Sequence, residues 1–462
     1  MPVSDDPASP LSQRDRAVIW HPATHFGDLE LSPPVPIESA RGVWLRDESG
    51  RQILDGIGSW WTSIHGHAHP DIVDAIQRQV AQLDHVMFAG FTHRPAIELA
   101  ERLLEIAPRD EQVSYGKVFY SDCGSASVEV ALKLSYQSRV LRGQTGKRRF
   151  AALQHSYHGE TLGALAVCGA SDWREPFGAL LHDALYLPIP RYAEHEQADF
   201  ERALADPSRA LGADSPEADA AVALLEAHAS ELSALIVEPL VQCASRMTMH
   251  GVGFYRRLVD TCRRLDIHVI ADEIAVGFAR TGKFFASEWA GCAPDLMCLS
   301  KGLSGGVLPL AATMIREGFE DDFKGDPSRS FAHSHTFTGN PITCAAALAS
   351  LDIFEHEQTL ARLPARIEHM QRLRRELVER HPQQIIESRQ AGLVAALTVD
   401  RERGPANKRV SLGLRRAALE RGVLLRPLHD TIYWMPALNI EAEPLELLAR
   451  VTSEVIDEVI ER

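Results

Sequence analysis

Two short apolar runs, each stopping on a charged residue, constrain this chain more than any other feature. Ile267-His-Val-Ile-Ala closes on Asp272-Glu273, and Pro294-Asp-Leu-Met-Cys-Leu-Ser leads straight into Lys301. Gly302, Ser304, Gly305 and Gly306 follow at once. Apolar runs of this length, bounded by a charge and a turn, read as strands buried on both faces, the pattern of a parallel sheet. In open α/β sheets the carboxyl ends of such strands form the ligand-binding rim. Asp272 and Lys301 would both stand on that rim.

The surrounding chain keeps the rhythm of a doubly wound, mostly parallel α/β sheet from about 118 to about 315. Residues 118–122, 150–153 and 235–237 read as strands, and 125–141 and 253–265 as helices with one apolar face. After Pro341 two helical patterns run to about 357 and from 367 to 380. From about 385 the chain mixes strands (392–399, 424–427, 431–435) with helices (412–421, 445–461). This change of rhythm predicts a smaller α+β domain. The expected division is an N-terminal segment 1–70 packing with the small domain, a large domain 71–340, and a C-terminal small domain 341–462 with its connecting helix.

Bulk properties exclude several classes of function. A formal net charge of −15, from 48 basic and 63 acidic side chains, argues against a nucleic-acid or anionic-membrane surface. No apolar run approaches the roughly 20 residues of a membrane helix. The polar, acidic start is no signal peptide. Seven scattered cysteines without a C-x-x-C pair suit reduced thiols in a cytoplasmic protein better than disulfides or zinc.

A lysine beside a carboxylate at a sheet rim is what pyridoxal phosphate chemistry requires. The amine condenses with the cofactor's aldehyde, and the carboxylate keeps the ring nitrogen protonated. An ion pair or a solvated strand end is the plainer reading of the same two residues. Gly124-Ser125 begins a helix and offers N–H groups to a phosphate, although serine is also an ordinary N-cap. Tyr157 follows the 150–153 strand and could stack on a flat ring or simply pack. Thr336 lies in a hydroxyl-rich turn before a long helix, to bind phosphate oxygens or to cap. Arg426 closes an apolar strand and suits a substrate carboxylate, against a plain surface arginine.

Three other motifs compete. Gly277–Lys283 matches G-x-x-x-x-G-K, but Phe284 stands where a P-loop needs its hydroxyl. His65, His67 and His69 lack a thiol or acidic neighbour to complete a tetrahedral metal site. Gly302-Leu-Ser304-Gly-Gly306 matches G-x-S-x-G, yet the following Val-Leu-Pro-Leu reads as extended rather than as the helix a nucleophile elbow enters. No G-x-G-x-x-G opens a helix.

Asp272-Glu-Ile, Gly277-Phe-x-Arg280-Thr-Gly282, Pro294-Asp295 and Ser300-Lys301-Gly302 resemble the signature of class III, fold-type I pyridoxal-phosphate aminotransferases. Trp20-His-Pro-x-Thr24, Gly58-Ser-Trp60-Trp61, His85-Val-Met-Phe88 and His93-x-Pro-Ala are similar to the branch that aminates 8-amino-7-oxononanoate from S-adenosylmethionine in biotin biosynthesis. The resemblance implies Lys301 as the cofactor-bearing lysine and proton shuttle, and Asp272 at the ring nitrogen. It implies Tyr157 on the ring face and Gly124 and Ser125 at the phosphate, joined by Thr336 from the other subunit of a homodimer. Trp60 and Trp61 would line the substrate pocket beside Gly302, Arg426 would hold the keto-acid carboxylate, and Arg280 would sit nearby. Glu238 marks a family position near the cofactor. Ala23, Glu160 and the loop Gln242-Cys-Ala-Ser-Arg-Met depart from the family pattern, and all three bear on the amino donor, lysine being the alternative. A general ω-amine transaminase is the nearest other activity.

Overall fold

The computed structural model describes residues 9–460 except 193, 196–198, 200, 203–210 and 405–408. Its centre is a seven-stranded sheet of β1 (Tyr115–Ser121), β2 (Arg149–Leu153), β3 (Leu185–Leu187), β4 (Leu232–Val237), β5 (His268–Asp272), β6 (Leu296–Leu299) and β7 (Ala311–Arg316). The strands lie in the order β1-β7-β6-β5-β4-β2-β3. Every pairing is parallel except the two that β7 makes, with β6 and β1. All residues of β4, β5 and β6 are buried, because helices cover both faces. The expected doubly wound α/β sheet is therefore present, with one reversed strand near its edge.

Helix Gly124–Leu141 packs across β1, β6 and β7. The other helices read from sequence recur within a few residues, at Val252–Arg264, Pro341–His356, Val410–Glu420 and Ala442–Val459. The helix expected at 367 instead starts at Thr359 and runs through Pro364 to Arg380. Pro364, which lacks a backbone donor, is thus carried inside the helix.

Two smaller sheets join distant parts of the chain. Ile37–Arg41, Trp44–Asp47 and Gln52–Asp55 form a meander that Val423–Leu424 extends in parallel. Thr431–Trp434, Val394–Val399 and Ile385–Ala391 form an antiparallel sheet that takes Glu194–His195 as a fourth strand. Because β-pairing across hundreds of residues leaves no local signal, this borrowed strand had no counterpart in the sequence reading.

The turn after β6 presses on the N-terminal meander's exit. Gly306 has φ +83°, and a Cβ there would lie 2.4 Å from the Thr62 carbonyl carbon and oxygen. Gly143 has a similar φ of +75° but open space around it. Gly143→Ala should therefore cost about 1 kcal/mol, the left-handed penalty alone. Gly306→Ala should cost about 2–4 kcal/mol, because backbone must also move. Denaturant unfolding of both variants checks this; equal losses would mean that the contact with Thr62 carries no energy.

Candidate functional site

The parallel register of β5 and β6 builds the site. Asp272 pairs with Cys298, so Lys301 emerges three residues further along the neighbouring strand. Ser300 and Lys301 then leave the sheet into a short 3₁₀ turn, Lys301–Ser304, and Lys301 takes a φ of +41°. That conformation is costly for a non-glycine residue and re-aims the side chain at the rim. Its Nζ lies 5.1 Å from the centre of the Trp61 ring. Burial lowers the Lys301 pKa against the opposing pull of Asp272, Cys243 and Glu238.

Asp272 is 5% exposed and held from two sides. His158 Nδ1 lies 2.7 Å from Oδ2, and the Ile274 N–H donates to Oδ1 at 3.1 Å. Neighbouring Glu273 turns the other way. Its carboxylate accepts from the Ala286 and Ser287 N–H groups and the Ser287 hydroxyl, closing the loop that follows β5. Burial raises the Glu273 pKa to about 7. Two adjacent acids thus divide into one facing the rim and one bracing it.

Around this pair lies a cleft of about 430 Å³, bordered by Trp60, Trp61, Gly124, Ser125, Tyr157, Asp272 and Lys301 among others. Gly124 opens the helix Gly124–Leu141, and a Cβ there would lie 3.0 Å from the Ile274 side chain. The Ser125 hydroxyl accepts the Thr161 N–H at 3.0 Å, and Gly159 abuts it so closely that a Cβ would lie 2.4 Å from Oγ. Tyr157 donates its hydroxyl to Glu160 at 2.9 Å and its backbone N–H to Glu238 Oε1 at 3.2 Å. Burial pushes the Glu238 carboxyl far above the ordinary range, with Asp272 adding to the shift.

The tandem tryptophans sit on a left-handed turn. Ser59, Trp60 and Trp61 have φ of +45°, +70° and +74°, following Gly58 at +56°. Asp55 secures the turn, accepting from Ser59 Oγ at 2.7 Å and from the Ile57 N–H at 3.2 Å, with His67 Nε2 at 2.8 Å. Trp61 Nε1 donates to the Tyr433 hydroxyl. Trp60, 39% exposed, carries the Arg426 guanidinium 4.4 Å above its ring, and Arg426 also donates to the Ala23 carbonyl at 3.3 Å.

Some expected residues lie elsewhere. Arg280 is buried outside the cleft lining, donating to the Pro436 carbonyl at 2.6 Å, and burial lowers its pKa to about 10. Gly302 lies beneath Lys301, against Phe278 and Ile64. Thr336 is exposed in a turn over 336–339. The residues that sequence reasoning missed are His158, Cys243, Tyr433 and Asp55. The only signal for His158 was its place beside Tyr157, since its partner lies 114 residues away.

The competing motifs resolve individually. His65, His67 and His69 go to Ser350, Asp55 and Glu357 respectively, and no group of metal-ligating residues occurs among the described residues. Lys283 donates to the Glu288 carbonyl and lies over Trp289. Ser304 is buried and bonded to Leu308, with strand β7 following instead of a helix. Among the described residues no helix is long and apolar enough to cross a membrane.

The donor set fits the expected pyridoxal phosphate. His158 Nε2 and Glu238 Oε2 are buried without partners among the described residues, and a lowered-pKa lysine, a braced carboxylate and a helix N-terminus converge on one cleft.

Comparison with known proteins gives three findings. The family model "Aminotransferase class-III" matches residues 28–456. Adenosylmethionine-8-amino-7-oxononanoate aminotransferases of Geobacter sulfurreducens and Helicobacter pylori are 39% and 36% identical, covering 95% and 97% of this chain and 95% and 98% of theirs. The crystal structure of the Methanocaldococcus jannaschii protein of that name superposes with a TM-score of 0.88 at 31% identity, over 97% of this chain and 99% of that one. An ω-transaminase from Pseudomonas jessenii in complex with PMP superposes at 0.84 with 25% identity, over 97% and 98%.

Burial of Lys301 makes a testable demand on stability. Its folded pKa lies below the unfolded value, so the unfolded chain binds more protons between the two, and stability rises with pH across that window. Cofactor-free Lys301→Met should therefore be more stable than the parent at pH 7, and the gap in Tm should narrow towards pH 10.5. A gap that stays constant or widens would mean that the amine is well solvated.

Proposed function

The chain belongs to the class-III aminotransferase family, and from that premise we propose that it transfers an amino group from S-adenosylmethionine to 8-amino-7-oxononanoate. The product is 7,8-diaminononanoate, in biotin biosynthesis. The observation that carries the reading is the convergence of Lys301, Asp272, Trp60 and Trp61 on one cleft, with Arg426 stacked on Trp60 at its border. Pyridoxal 5′-phosphate, when bound, supplies an aldehyde for amine exchange and a ring that withdraws electrons from the adjacent carbon.

The residues then divide the work. Lys301 Nζ, whose hold on its proton burial weakens, would take a proton from the donor's α-carbon and return it one position further along. Asp272, oriented by His158, would hold the ring nitrogen protonated. Gly124 and Ser125 would receive the phosphate at the helix N-terminus, with Thr336 joining them from a second copy in a homodimer. Tyr157 covers the ring face, and Trp60 and Trp61 shape the apolar passage. Arg426, steadied over Trp60, takes the keto-acid carboxylate through paired N–H donors. Gly302 keeps the floor beneath Lys301 thin, and Arg280 braces the wall beside Cys243.

Two neighbouring readings share this machinery. Ala23 and Glu160 border the cleft, so the donor is where a lysine-dependent enzyme would differ. The solved ω-transaminases share the fold at 25–26% identity, well below the 36–40% of several relatives named for 8-amino-7-oxononanoate. Mass-spectrometric assay with each donor separates these readings. S-adenosylmethionine should support 7,8-diaminononanoate formation; formation with lysine alone would overturn the donor. Lys301→Ala should lower kcat by at least about 10³-fold. Arg426→Ala should raise KM for the keto acid about ten- to hundredfold with a smaller change in kcat; an unchanged KM would refute the carboxylate role.

A further inference from the structure

A second cleft, of about 200 Å³, opens beside the first and plays no part in the roles above. It shares only Tyr157 and Ala244 with the main cleft. The partition is a hairpin in which Val241–Gln242 pairs with Thr248–Met249, so the tip, 243–247, stands between the two spaces. Cys243 and Ala244 face one cleft, and Ala244, Ser245 and Arg246 border the other.

This partition is firmly held. Arg246 and Met247 have φ of +55° and +54°. Arg246 Nη1 donates to Asp430 at 3.2 Å, while buried Arg389 donates to the Arg246 carbonyl and, at 2.8 Å, to that of Met247. The same recess is bordered by Trp173, which remains 38% exposed, with Asp172 beside it 3.9 Å from His429. A half-exposed indole in a polar recess suits a flat heteroaromatic ring that stacks on it. Neighbouring carboxylate, hydroxyl and imidazole groups suit the hydroxyls of a sugar.

We infer that this second cleft receives the adenosyl group of the donor, an inference that rests on the S-adenosylmethionine reading above. Both substrates must present their reacting carbon to the same Lys301, yet their remainders differ. The keto acid is a narrow chain ending in a carboxylate, matched by Trp60 and Arg426. The donor is broad, aromatic and hydroxylated, and it leaves the shared centre past Tyr157 and Ala244 towards Trp173.

The test is Trp173→Ala in the cofactor-loaded enzyme, with Trp173→Phe as the conservative partner. The alanine variant should weaken S-adenosylmethionine about tenfold, the scale of losing one base–aromatic stack. KM for 8-amino-7-oxononanoate should stay unchanged, and phenylalanine should restore most of the loss. Equal loss for both substrates, or none for either, overturns the inference. Photolabelling of the unmodified holoenzyme with 8-azidoadenosine gives a readout independent of the variants. Label within 170–173 or 244–246 supports the site, and label elsewhere, or none, overturns it. If the enzyme ignores S-adenosylmethionine but still takes the label there, the donor assignment falls while the adenosine site stands.

Discussion

The parallel pairing of β5 with β6 is the constraint from which the rest follows. It sets Asp272 opposite Cys298 and delivers Lys301 just past the adjoining strand end. Two charged side chains are thereby brought to the edge of a sheet whose interior is mostly apolar. Neither is free to seek bulk water, so each must find a partner or shift its pKa. Asp272 finds His158 and the Ile274 N–H; Lys301 shifts towards neutrality. An amine whose proton burial loosens, beside a held carboxylate, is the chemical content of the site.

Strain gathers around this edge. Lys301 and the three residues 59–61 all occupy left-handed backbone that non-glycine residues disfavour by roughly 1–2 kcal/mol each. The surroundings over-determine them. Asp55 binds Ser59 and His67, Tyr433 accepts from Trp61, and Gly306 yields its side-chain space to Thr62. Such strain persists only where the fold supplies compensation, and it concentrates at working sites. Here it turns two indoles and one amine into the same cleft.

Much of the architecture was legible because it is written locally. Apolar runs ending on Asp272 and Lys301 marked β5 and β6, and Gly124-Ser125 marked a helix start on the rim. Those four residues, with Tyr157, Trp60 and Trp61, do border one cleft. What escaped depends on partners far away in the chain. His158 meets Asp272 across 114 residues, and Glu194–His195 joins a sheet formed largely of residues beyond 385. The three histidines at 65, 67 and 69 looked like one cluster but serve three separate partners. Arg280 sits in a signature stretch, yet its hydrogen bonds go to backbone carbonyls outside the cleft lining, which no pattern of spacing reveals. Thr336, exposed on a single copy of the chain, has no local feature that would place it.

The most direct measurement is to load the protein with pyridoxal phosphate, reduce it with borohydride and map the modified peptide by mass spectrometry. Reduction fixes the cofactor to whichever amine has condensed with its aldehyde. The account predicts one pyridoxyl phosphate per chain, on Lys301. Modification at another lysine such as Lys283, or none at all, would contradict it.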